Sequence, residues 1–471
     1  MSLLNLFKKN LGTKISQDNA VILTNDATNL CYEASKSCYG TQLTDDYRTK
    51  LKYIGARNKE GHESIIEHSN ICMIVSLKNK DLLQYAQIAN GFRYLNVETS
   101  TIMDITYFLI GGSIRGYKHL IRETIFQNNM MLNSIKNLIY ECCYREFFVD
   151  LIQAGVMNDT FMVPGQGLSS YDAERDLTIE DEIALWKDIN SKSDLRNKFQ
   201  SINPDKIEIT NIDNIQSIYD YASLYGFNME QCLSMASVTV LFKGMSTIIT
   251  RELNRHRNGI TQESQRYVNV GDLPFNSPAN FKDKYDKNKK YTYNIGNVTC
   301  EGTMQEIGDN IRGVYKNLID QGVEKEDARG YLPSNVQSSK VYMTFTYRSF
   351  IAFLKLRTDS HAQAEIREYA FILYEDFNNY INKNNILLNE DIYYYMIPRC
   401  MKTEDPDYQN KNIDEGLSDI KEFNEVVEYS IPIGKDSNES ISVSSYDSSL
   451  YADTREDDKA IKEAESGRKD V

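Results

Sequence analysis

Apolar residues recur along this chain with two different periods, and the change from one to the other predicts a strand followed by a helix. Residues 238–242 (VTVLF) show the alternation typical of a strand. Gly244 interrupts this pattern, and apolar residues then recur at helical spacing from Met245 to Leu253. The Asn258-Gly259 pair is expected to end the helix.

A second stretch, residues 105–122, has a similar strand-glycine-helix form. Gly and Ser precede an Arg at the same offsets in both stretches: Gly111, Ser113 and Arg122 in one, Gly244, Ser246 and Arg255 in the other. The match suggests a degenerate, partial internal repeat. Chance remains the alternative, because strand-glycine-helix patterns are common.

Three further stretches stand out by composition. Residues 334–397 contain neither Gly nor Pro and have helical apolar spacing, so we expect the longest helices there. Residues 268–291 are rich in turn-forming residues and predict a long surface loop. Residues 437–471 are rich in Ser, Asp, Glu and Lys, which predicts an acidic disordered tail.

The length of 471 residues predicts two folded units, or one unit with a large insertion. Hydrophobic residues make up 41% and charged residues 25%, an ordinary globular composition. The net charge of -14 argues against a general nucleic-acid binder, because phosphate backbones require a surplus of Lys and Arg. A local basic pocket for a small phosphate is still compatible with this charge.

The eight cysteines are scattered, with no C-x-x-C pair and no secretory signal before them. We therefore expect reduced thiols and a cytoplasmic protein. No stretch reaches the ~18 uninterrupted apolar residues that a membrane helix requires, so we expect no membrane association.

Four of the five histidines lie in clusters of Arg, Glu, Ser and Gln, and the first cluster is GHESIIEH at residues 61–68. Ser64 and Glu67 have the S-x-x-E spacing of a helix capping box. The free N–H groups of a helix start also bind anions, so capping and ligand binding are both open interpretations.

The second cluster is RELNRHRNGITQESQRY, residues 251–267. A charged helix end explains its first part, since basic side chains there complement the helix dipole. It does not explain residues 262–266, a run of donors and acceptors with no apolar face. Such a loop is typical of a polyanion site, where guanidinium groups bind phosphate oxygens.

The third cluster is TYRSFIAFLKLRTDSHAQAEIREYA, residues 346–370. Arg357, His361 and Glu365 are spaced four residues apart, which predicts one ionisable stripe on a helix. Such stripes usually face solvent, but this helix is apolar enough for the stripe to face a pocket.

Metal and Rossmann-type sites are not indicated. The candidate metal ligands lack H-x-x-x-H and H-E-x-x-H spacing, and neighbouring arginines would repel a cation. The chain also has no G-x-S-x-G, no Walker loop and no G-x-G-x-x-G. We therefore predict no metal.

Together the three clusters resemble the flavin-dependent thymidylate synthases. That family's pattern runs H-x-[ST]-x-x-E-H, then RHR followed by Ser and Arg-Tyr, then an Arg-rich C-terminal helix. Here these motifs are GHESIIEH, RHRNGITQESQRY, and ARGYLP followed by TFTYRSFIAFLKLRTDSHAQAEIREYA. The matched segments cover about residues 20–80 and 236–380.

The resemblance implies an α+β fold in which helices surround an antiparallel sheet, assembled as a homotetramer with active sites at subunit interfaces. It implies FAD as cofactor, NADPH and methylenetetrahydrofolate as co-substrates, and dUMP as the acceptor. The expected reaction is reductive methylation of dUMP to dTMP without a cysteine nucleophile.

The resemblance also assigns roles by position. The implied FAD contacts are Ser64, Arg255, His256, Arg257, Gln262, Thr346 and Arg348. The implied dUMP contacts are Glu252, Arg255, Gln262, Glu263, Ser264, Gln265, Arg266, Arg329 and Arg357. Arg357 and Ser264 are the implied catalytic residues, and Arg357 corresponds to the family arginine that contacts the pyrimidine.

The chain departs from the family pattern in three places. Only six residues, Asn258 to Glu263, separate RHR from the motif serine, one fewer than usual. Thr346 and Ala352 stand where many members have Asn. A long segment also separates the first two motifs. The expected layout is therefore a core of residues 1–80 and 236–400, a mostly helical insertion at 81–235, an extension at 401–436 and the tail.

Two other functions are compatible with these residues. One is a related flavoenzyme that adds a different one-carbon group, such as hydroxymethyl, to a pyrimidine nucleotide; the shortened loop after RHR supports it. The other is a non-catalytic flavin- or nucleotide-binding protein, against which the joint presence of Arg255, Ser264, Arg266, Arg329 and Arg357 argues.

Overall fold

The fold is taken from a computed structural model. It describes residues 21–24, 28–39, 43–44, 46–159, 161, 203, 205–256, 259–282, 284–337, 340–384, 386, 388, 392, 395–398, 429–431 and 441–443. The architecture is α+β, with two four-stranded antiparallel sheets surrounded by helices. We call residues 21–161 the first unit and residues 203–398 the second unit, because each contains one of the four-stranded sheets.

The sheet of the first unit has the strand order β1-β2-β4-β3. Its strands β1 to β4 are Val21–Thr24, Ile71–Lys78, Asn96–Ile102 and Ile105–Gly112. A tight turn joins β3 to β4, and Met103 adopts a left-handed conformation there with φ of 56°.

The sheet of the second unit has the strand order β5-β6-β10-β7. Its strands are β5 Ile207–Ile212, β6 Ser237–Lys243, β7 Gly259–Gln262 and β10 Lys340–Thr346. Between β7 and β10 lies a hairpin of β8 (Lys290–Ile295) and β9 (Val298–Thr303). A separate pair joins β11 (Tyr429–Ile431) to β12 (Ile441–Val443).

Helices follow the strands in both units. In the first unit they are α1 Thr28–Tyr39, α2 Tyr47–Lys59, α3 Leu83–Ile88, α4 Ile114–Glu123, α5 Met130–Cys142 and α6 Val149–Gln153. In the second unit they are α7 Ile215–Ala222, α8 Met229–Leu233, α9 Thr247–Asn254, α10 Met304–Asp320, α11 Lys325–Ala328, α12 Tyr347–Arg357 and α13 Ala364–Lys383.

The central strand β2 of the first sheet is buried on both faces, which explains its continuous apolar run. Ile71, Met73 and Val75 point to the helices of the first unit and share a core with α4 and α5. Cys72 and Ile74 alternate to the opposite face, where they belong to the main core of the second unit. The two units are therefore joined by a continuous apolar core.

Most element predictions agree with the structure. The strand at 238–242 and the helix after Gly244 are confirmed as β6 and α9, and the strand and helix at 105–122 are confirmed as β4 and α4. The longest described helix, α13, lies in the Gly- and Pro-free region as predicted. The expected loop at 268–291 contains a short 3₁₀ helix, Pro278–Asn280, and ends at Lys290, where β8 begins.

Other parts differ from the expected layout. The segment 81–235 carries helices but also β3, β4 and β5, and β2 pairs with β4 rather than with a strand of 236–400. The β-branched residues of β3 (NVETSTI) fit a pleated surface. Residues 441–443 of the expected disordered tail form β12, and the rest of that tail lies outside the described residues. No helix in the described ranges combines the length and apolar character needed to cross a bilayer.

Candidate active site

The start of α9 is fixed by a buried carboxylate. Glu365 of α13 accepts hydrogen bonds from the backbone N–H of Ser246 at 2.6 Å and from its hydroxyl at 2.7 Å, while Asn276 donates at 2.8 Å. Gly244 supplies the left-handed turn before the helix, with φ of 66°. This anchoring sets where the polar residues at the end of α9 lie.

Those residues meet the end of α12. Arg357 donates from Nη1 to Glu252 Oε2 at 3.1 Å and from Nε to His256 Nε2 at 3.0 Å. The side chains of Arg357 and Glu252 are 19% and 25% exposed, so water reaches this cluster only in part. The structure thus brings together three of the predicted site residues.

His256 in this cluster is a neutral hydrogen-bond acceptor. Burial, followed by the charge of Arg357, lowers the pKa of His256 to about 4. Because Nε2 accepts from Arg357, the single ring proton must lie on Nδ1. The ring also makes an edge contact with Phe353 at 5.1 Å. His256 therefore accepts a hydrogen bond from the Arg357 guanidinium without placing a second positive charge beside it.

The predicted stripe of Arg357, His361 and Glu365 on one helix is wrong. The helix α12 ends at Arg357, and α13 begins only at Ala364. His361 lies in the connecting turn, 77% exposed, and contacts Asp359 at 2.8 Å. Only Arg357 of the three faces the candidate site.

The loop after β7 holds four of the nine predicted dUMP contacts: Glu263, Ser264, Gln265 and Arg266. Ser264 donates its backbone N–H to the carbonyl of Cys38 at 2.9 Å, so α1 of the first unit fixes this loop. Arg266 pairs with the Glu326 carboxylate at 2.8 Å, and Arg329 donates to the Glu326 carbonyl at 3.1 Å. The two arginines therefore converge on one residue; Arg266 is exposed to solvent and Arg329 is half-buried.

The neighbouring residues of this loop are partly buried. Glu263 donates its backbone N–H to the Lys340 carbonyl at 2.9 Å, and burial raises the pKa of its carboxyl. Gln265 donates to the Thr247 hydroxyl at 3.3 Å. Gln262 is the last residue of β7. Arg255 is exposed at the end of α9, and Arg257 lies outside the described residues.

The motif GHESIIEH forms a 3₁₀ helix, Glu63–His68, rather than a capped α-helix. The capping interpretation is wrong, since its N-cap is His62, which makes no side-chain cap hydrogen bond. Glu63 instead contacts Lys118 at 3.0 Å and Arg122 of α4. Burial alone would raise the pKa of Glu63, but these partners hold that pKa at about 2. Ser64 is exposed.

His68 links this 3₁₀ helix to the sheet of the second unit. Its Nε2 lies 2.7 Å from the Thr261 hydroxyl and its Nδ1 lies 3.0 Å from the Thr344 hydroxyl. Burial lowers the pKa of His68 to about 3, so the imidazole is neutral and donates from only one nitrogen. His68 thus positions the first unit against β7 and β10.

A cavity of about 370 Å³ lies between the two units. Thr346, a predicted FAD contact, lines it and caps α12 by accepting from the Ser349 N–H at 3.1 Å. Arg348 lies in the first turn of α12, and its Nη2 contacts the Glu230 carbonyl at 3.5 Å. Of the predicted site residues that the structure describes, only Thr346 lines the cavity.

Sequence reasoning missed the side of the cavity that the first unit forms. Its lining residues there include Glu67, Asn96, Ser113 and two arginines, Arg93 and Arg115. Four of these five belong to the segment interpreted as an insertion. The S-I-R and T-Y-R sequences at 113–115 and 346–348, which begin two helices, are the signal that could have found them.

Comparison with known proteins identifies one family. The family model described as thymidylate synthase complementing protein matches residues 189–381. Flavin-dependent thymidylate synthases from Pyrococcus abyssi, Pyrococcus furiosus and Kosmotoga olearia are 27%, 30% and 30% identical to this chain over 195, 154 and 158 residues. These matches cover 41%, 32% and 30% of this chain, and 70%, 59% and 68% of the three relatives.

Proposed function

Because this chain belongs to the flavin-dependent thymidylate synthase family, we propose that it catalyses the FAD-dependent reductive methylation of dUMP to dTMP. In this proposal methylenetetrahydrofolate donates the carbon and NADPH supplies the hydride. The observation that carries the proposal is the cluster of Arg357, Glu252 and His256, which lies inside the matched span of 189–381.

The residues around the inter-unit cavity fit a phosphorylated cofactor. Arg93 and Arg115 present guanidinium groups to it, and Gly259 allows close backbone approach because a Cβ there would lie 2.9 Å from the Glu67 carbonyl oxygen. When bound and reduced by NADPH, FAD would pass the hydride on to the transferred carbon. The proposed contacts are those assigned from the sequence: Ser64, Arg255, His256, Arg257, Gln262, Thr346 and Arg348.

We assign the dUMP phosphate to Arg266 and Arg329. A nucleotide phosphate carries nearly two negative charges at neutral pH, so guanidinium groups bind it by charge-assisted hydrogen bonds. The Glu326 carboxylate pairs with Arg266, and the phosphate would replace it as the partner. Gln262, Glu263 and Gln265 would complete the nucleotide contacts, with Glu252 and Arg255 on the helix side.

Arg357 and Ser264 are the proposed catalytic residues. A guanidinium at the pyrimidine edge stabilises the negative charge that develops on N3 and O2 as C5 attacks the carbon donor. Glu252 and His256 hold the Arg357 guanidinium in one plane before the substrate binds. The Ser264 hydroxyl would contact the nucleotide beside it.

The described cysteines support a mechanism without a thiolate nucleophile. Burial raises the pKa of Cys232 to about 12, and burial also raises the pKa values of Cys72 and Cys38. These three thiols stay protonated at neutral pH, which supports activation of the base by the arginine rather than by a thiolate. The six cysteines Cys31, Cys38, Cys72, Cys143, Cys232 and Cys300 are reduced thiols, which supports a reducing compartment such as the cytoplasm.

Product analysis tests the function. Purified full-length protein is incubated with FAD, NADPH, methylenetetrahydrofolate and dUMP, and the nucleotides are separated and weighed by mass spectrometry. We expect a product heavier than dUMP by one methylene group. A product heavier by one formaldehyde equivalent would indicate hydroxymethylation, and unchanged dUMP with FAD bound would indicate a non-catalytic binding protein.

Assembly is proposed on family grounds. We propose that the chain forms a homo-oligomer, with the tetramer of the resemblance as the reference state. Size-exclusion chromatography with light scattering measures this mass directly, and a monomer at micromolar concentration would contradict it.

A further inference from the structure

The two sheets have the same strand order and the same strand directions. Reading from the edge, β1-β2-β4-β3 corresponds to β5-β6-β10-β7, and every neighbouring pair is antiparallel. In each sheet the first strand of the unit lies at one edge. The strand that precedes the paired helices, β4 before α4 and α5 in the first unit and β10 before α12 and α13 in the second, lies inside the sheet. The topology alone therefore relates the first unit to the second.

The register of the central pair also agrees. Ser113 caps α4 at the end of β4, and Thr346 caps α12 at the end of β10. Aligning these two caps places Leu109 on Tyr342. Their cross-strand partners are Ile74 and Leu241, which therefore align as well.

The edge strands share a β-bulge at the same place. The pairs on either side of the irregularity are Ile22–Met73 and Thr24–Cys72 in the first sheet, and Ile209–Val240 and Asn211–Thr239 in the second. Under the alignment of the central strands these pairs coincide. A bulge is a specific local feature, so its recurrence at one aligned position is strong evidence of common origin.

The helices that follow continue the correspondence. The alignment of the edge strands places Thr28, the first residue of α1, on Ile215, the first residue of α7. The caps Ser113 and Thr346 each accept from the backbone N–H three residues later. Both capped helices carry an arginine two residues after the cap, at Arg115 and Arg348.

The packing between the units is reciprocal. Leu30 of α1 packs with Leu241 and Tyr342 of the second sheet. In the opposite direction, Tyr225, which follows α7, packs on Tyr107 of the first sheet, with 5.0 Å between the two ring centroids. An interface in which the same patch of each partner contacts the other is the arrangement of a two-fold dimer.

We propose that the first unit is a diverged copy of the second, and that the two build within one chain a symmetric pair with a single composite nucleotide site. The identity of the ligand as a flavin dinucleotide rests on the proposed function. The duplication itself stands on strand order, register, bulge and caps.

A two-fold pair has two symmetry-related sites, and the aligned sequences indicate which of them has been retained. Asn96 and Gly259 open aligned strands, so Phe92-Arg93-Tyr94 occupies the place of Arg255-His256-Arg257. The turn after β3 replaces the whole segment 263–339 with its arginines. The second unit has in turn lost the histidine, because Met235 aligns with His68. One site therefore combines His68 with the loops of the second unit, and its counterpart lacks both.

We infer that the cavity spans the pseudo-two-fold axis, so it joins residues of the retained site to residues of its diverged counterpart in one composite site. Its lining contains aligned residues from both units: Asn70 and Ser237, Asn96 and Gly259, Ser113 and Thr346. The arginines that line it, Arg93 and Arg115, both belong to the first unit. They pair with Glu123 and Glu67, but each guanidinium has five N–H donors and keeps some for a phosphate.

Flavin titration of the full-length protein tests the composite site. FAD is added in steps, and its fluorescence quenching gives both the dissociation constant and the stoichiometry. We expect one FAD per chain, and about 10-fold or more weaker binding for Arg115→Ala and for Arg93→Ala. Arg115→Lys should fall between wild type and alanine. Arg145→Ala is the matched control, because Arg145 is an exposed arginine of the same unit that pairs with Asp159.

The outcomes separate the two proposals. Unchanged FAD affinity in both alanine variants, with FAD still bound by wild type, would overturn the role of the first unit and leave the proposed function standing. Two FAD molecules per chain would overturn the loss of the second site. A wild-type protein that binds no FAD would refute the proposed function and the flavin site together. If Arg115→Ala lowers the melting temperature, Arg93→Ala decides, since Arg93 is 50% exposed.

Discussion

Removing the guanidinium of Arg357 should damage turnover far more than folding. Arg357→Ala deletes the donors to Glu252 at 3.1 Å and to His256 at 3.0 Å, and with them the only group of this cluster that is always positively charged. Loss of one preorganised donor at a site of developing charge typically costs on the order of 100-fold or more in turnover. That factor corresponds to about 2.7 kcal/mol of activation free energy.

The stability cost should be smaller. Hydrogen bonds to charged groups contribute about 1.5–3 kcal/mol when fully buried. Glu252 is 25% exposed, so water replaces part of what it loses, and we expect a decrease of about 1 kcal/mol in the free energy of unfolding. The variant should therefore fold and bind dUMP.

The assay compares dTMP formation at saturating dUMP with the dUMP dissociation constant from calorimetry. Arg357→Ala should lower kcat with little change in affinity, whereas Arg266→Ala or Arg329→Ala should chiefly weaken dUMP binding. Arg357→Lys should not restore turnover, because an ammonium cannot contact two acceptors in the base plane. Wild-type turnover in Arg357→Ala would refute the assignment and leave Arg357 as a structural partner of Glu252.

Three further predictions concern stability. Lys118 is fully buried between the carboxylates of Glu63 and Asp150, so Lys118→Met should lower the free energy of unfolding by about 3 kcal/mol in urea titrations. Arg145→Ala, which removes an exposed ion pair, should change it by less than about 0.5 kcal/mol. The free energy of unfolding should fall as pH decreases from 6.5 towards about 4, because His256 binds its proton in the unfolded chain before it does so in the folded protein. His256→Gln should reduce the slope of the free energy of unfolding against pH, and an unchanged slope would contradict this prediction. Gly259→Ala should destabilise the protein by about 1–3 kcal/mol in thermal melts, because the new Cβ would lie 2.9 Å from the Glu67 backbone oxygen of the first unit. Gly313 has open space around it, so Gly313→Ala should not destabilise the protein.

Local patterns predicted the strand-turn-helix segments well, and failed where side chains rearrange the backbone. The stripe at Arg357, His361 and Glu365 had correct helical spacing and no Gly or Pro to break it. The break comes from Thr358, whose hydroxyl donates to the Leu354 carbonyl at 2.7 Å, and from Asp359, whose carboxylate accepts from the His361 N–H at 2.9 Å. Such side-chain-to-backbone hydrogen bonds compete with helix continuation and leave little trace in apolar periodicity.

The capping box failed for a different reason. Glu67 had the spacing to cap its own helix, but it pairs with Arg115 instead. Glu63 is likewise taken by Lys118 and Arg122. These partners come from one helix distant in sequence, so tertiary charge pairing decided the local structure. Nothing within residues 61–68 could have indicated it.

The sequence suggested a partial repeat, but it paired residues 105–122 with a different segment from the one that the proposed duplication uses. Offsets matched Gly111 and Ser113 with Gly244 and Ser246, because both pairs precede a helix after a strand. The strand registers instead align Ser113 with Thr346. Short strand-cap-helix segments resemble one another at many positions, and only the pairing of neighbouring strands distinguishes them.

Covalent fusion explains how the two sites could diverge. In a dimer of identical chains every substitution appears at both symmetric sites, so a loss at one is a loss at both. In a fused pair each copy changes alone, and His68 and Met235 can differ. The lost site lacks the histidine and the whole 263–339 segment, so one substitution should not restore it. Met235→His should therefore still bind one FAD per chain by fluorescence titration, and a second bound FAD would show that the missing loops are not required.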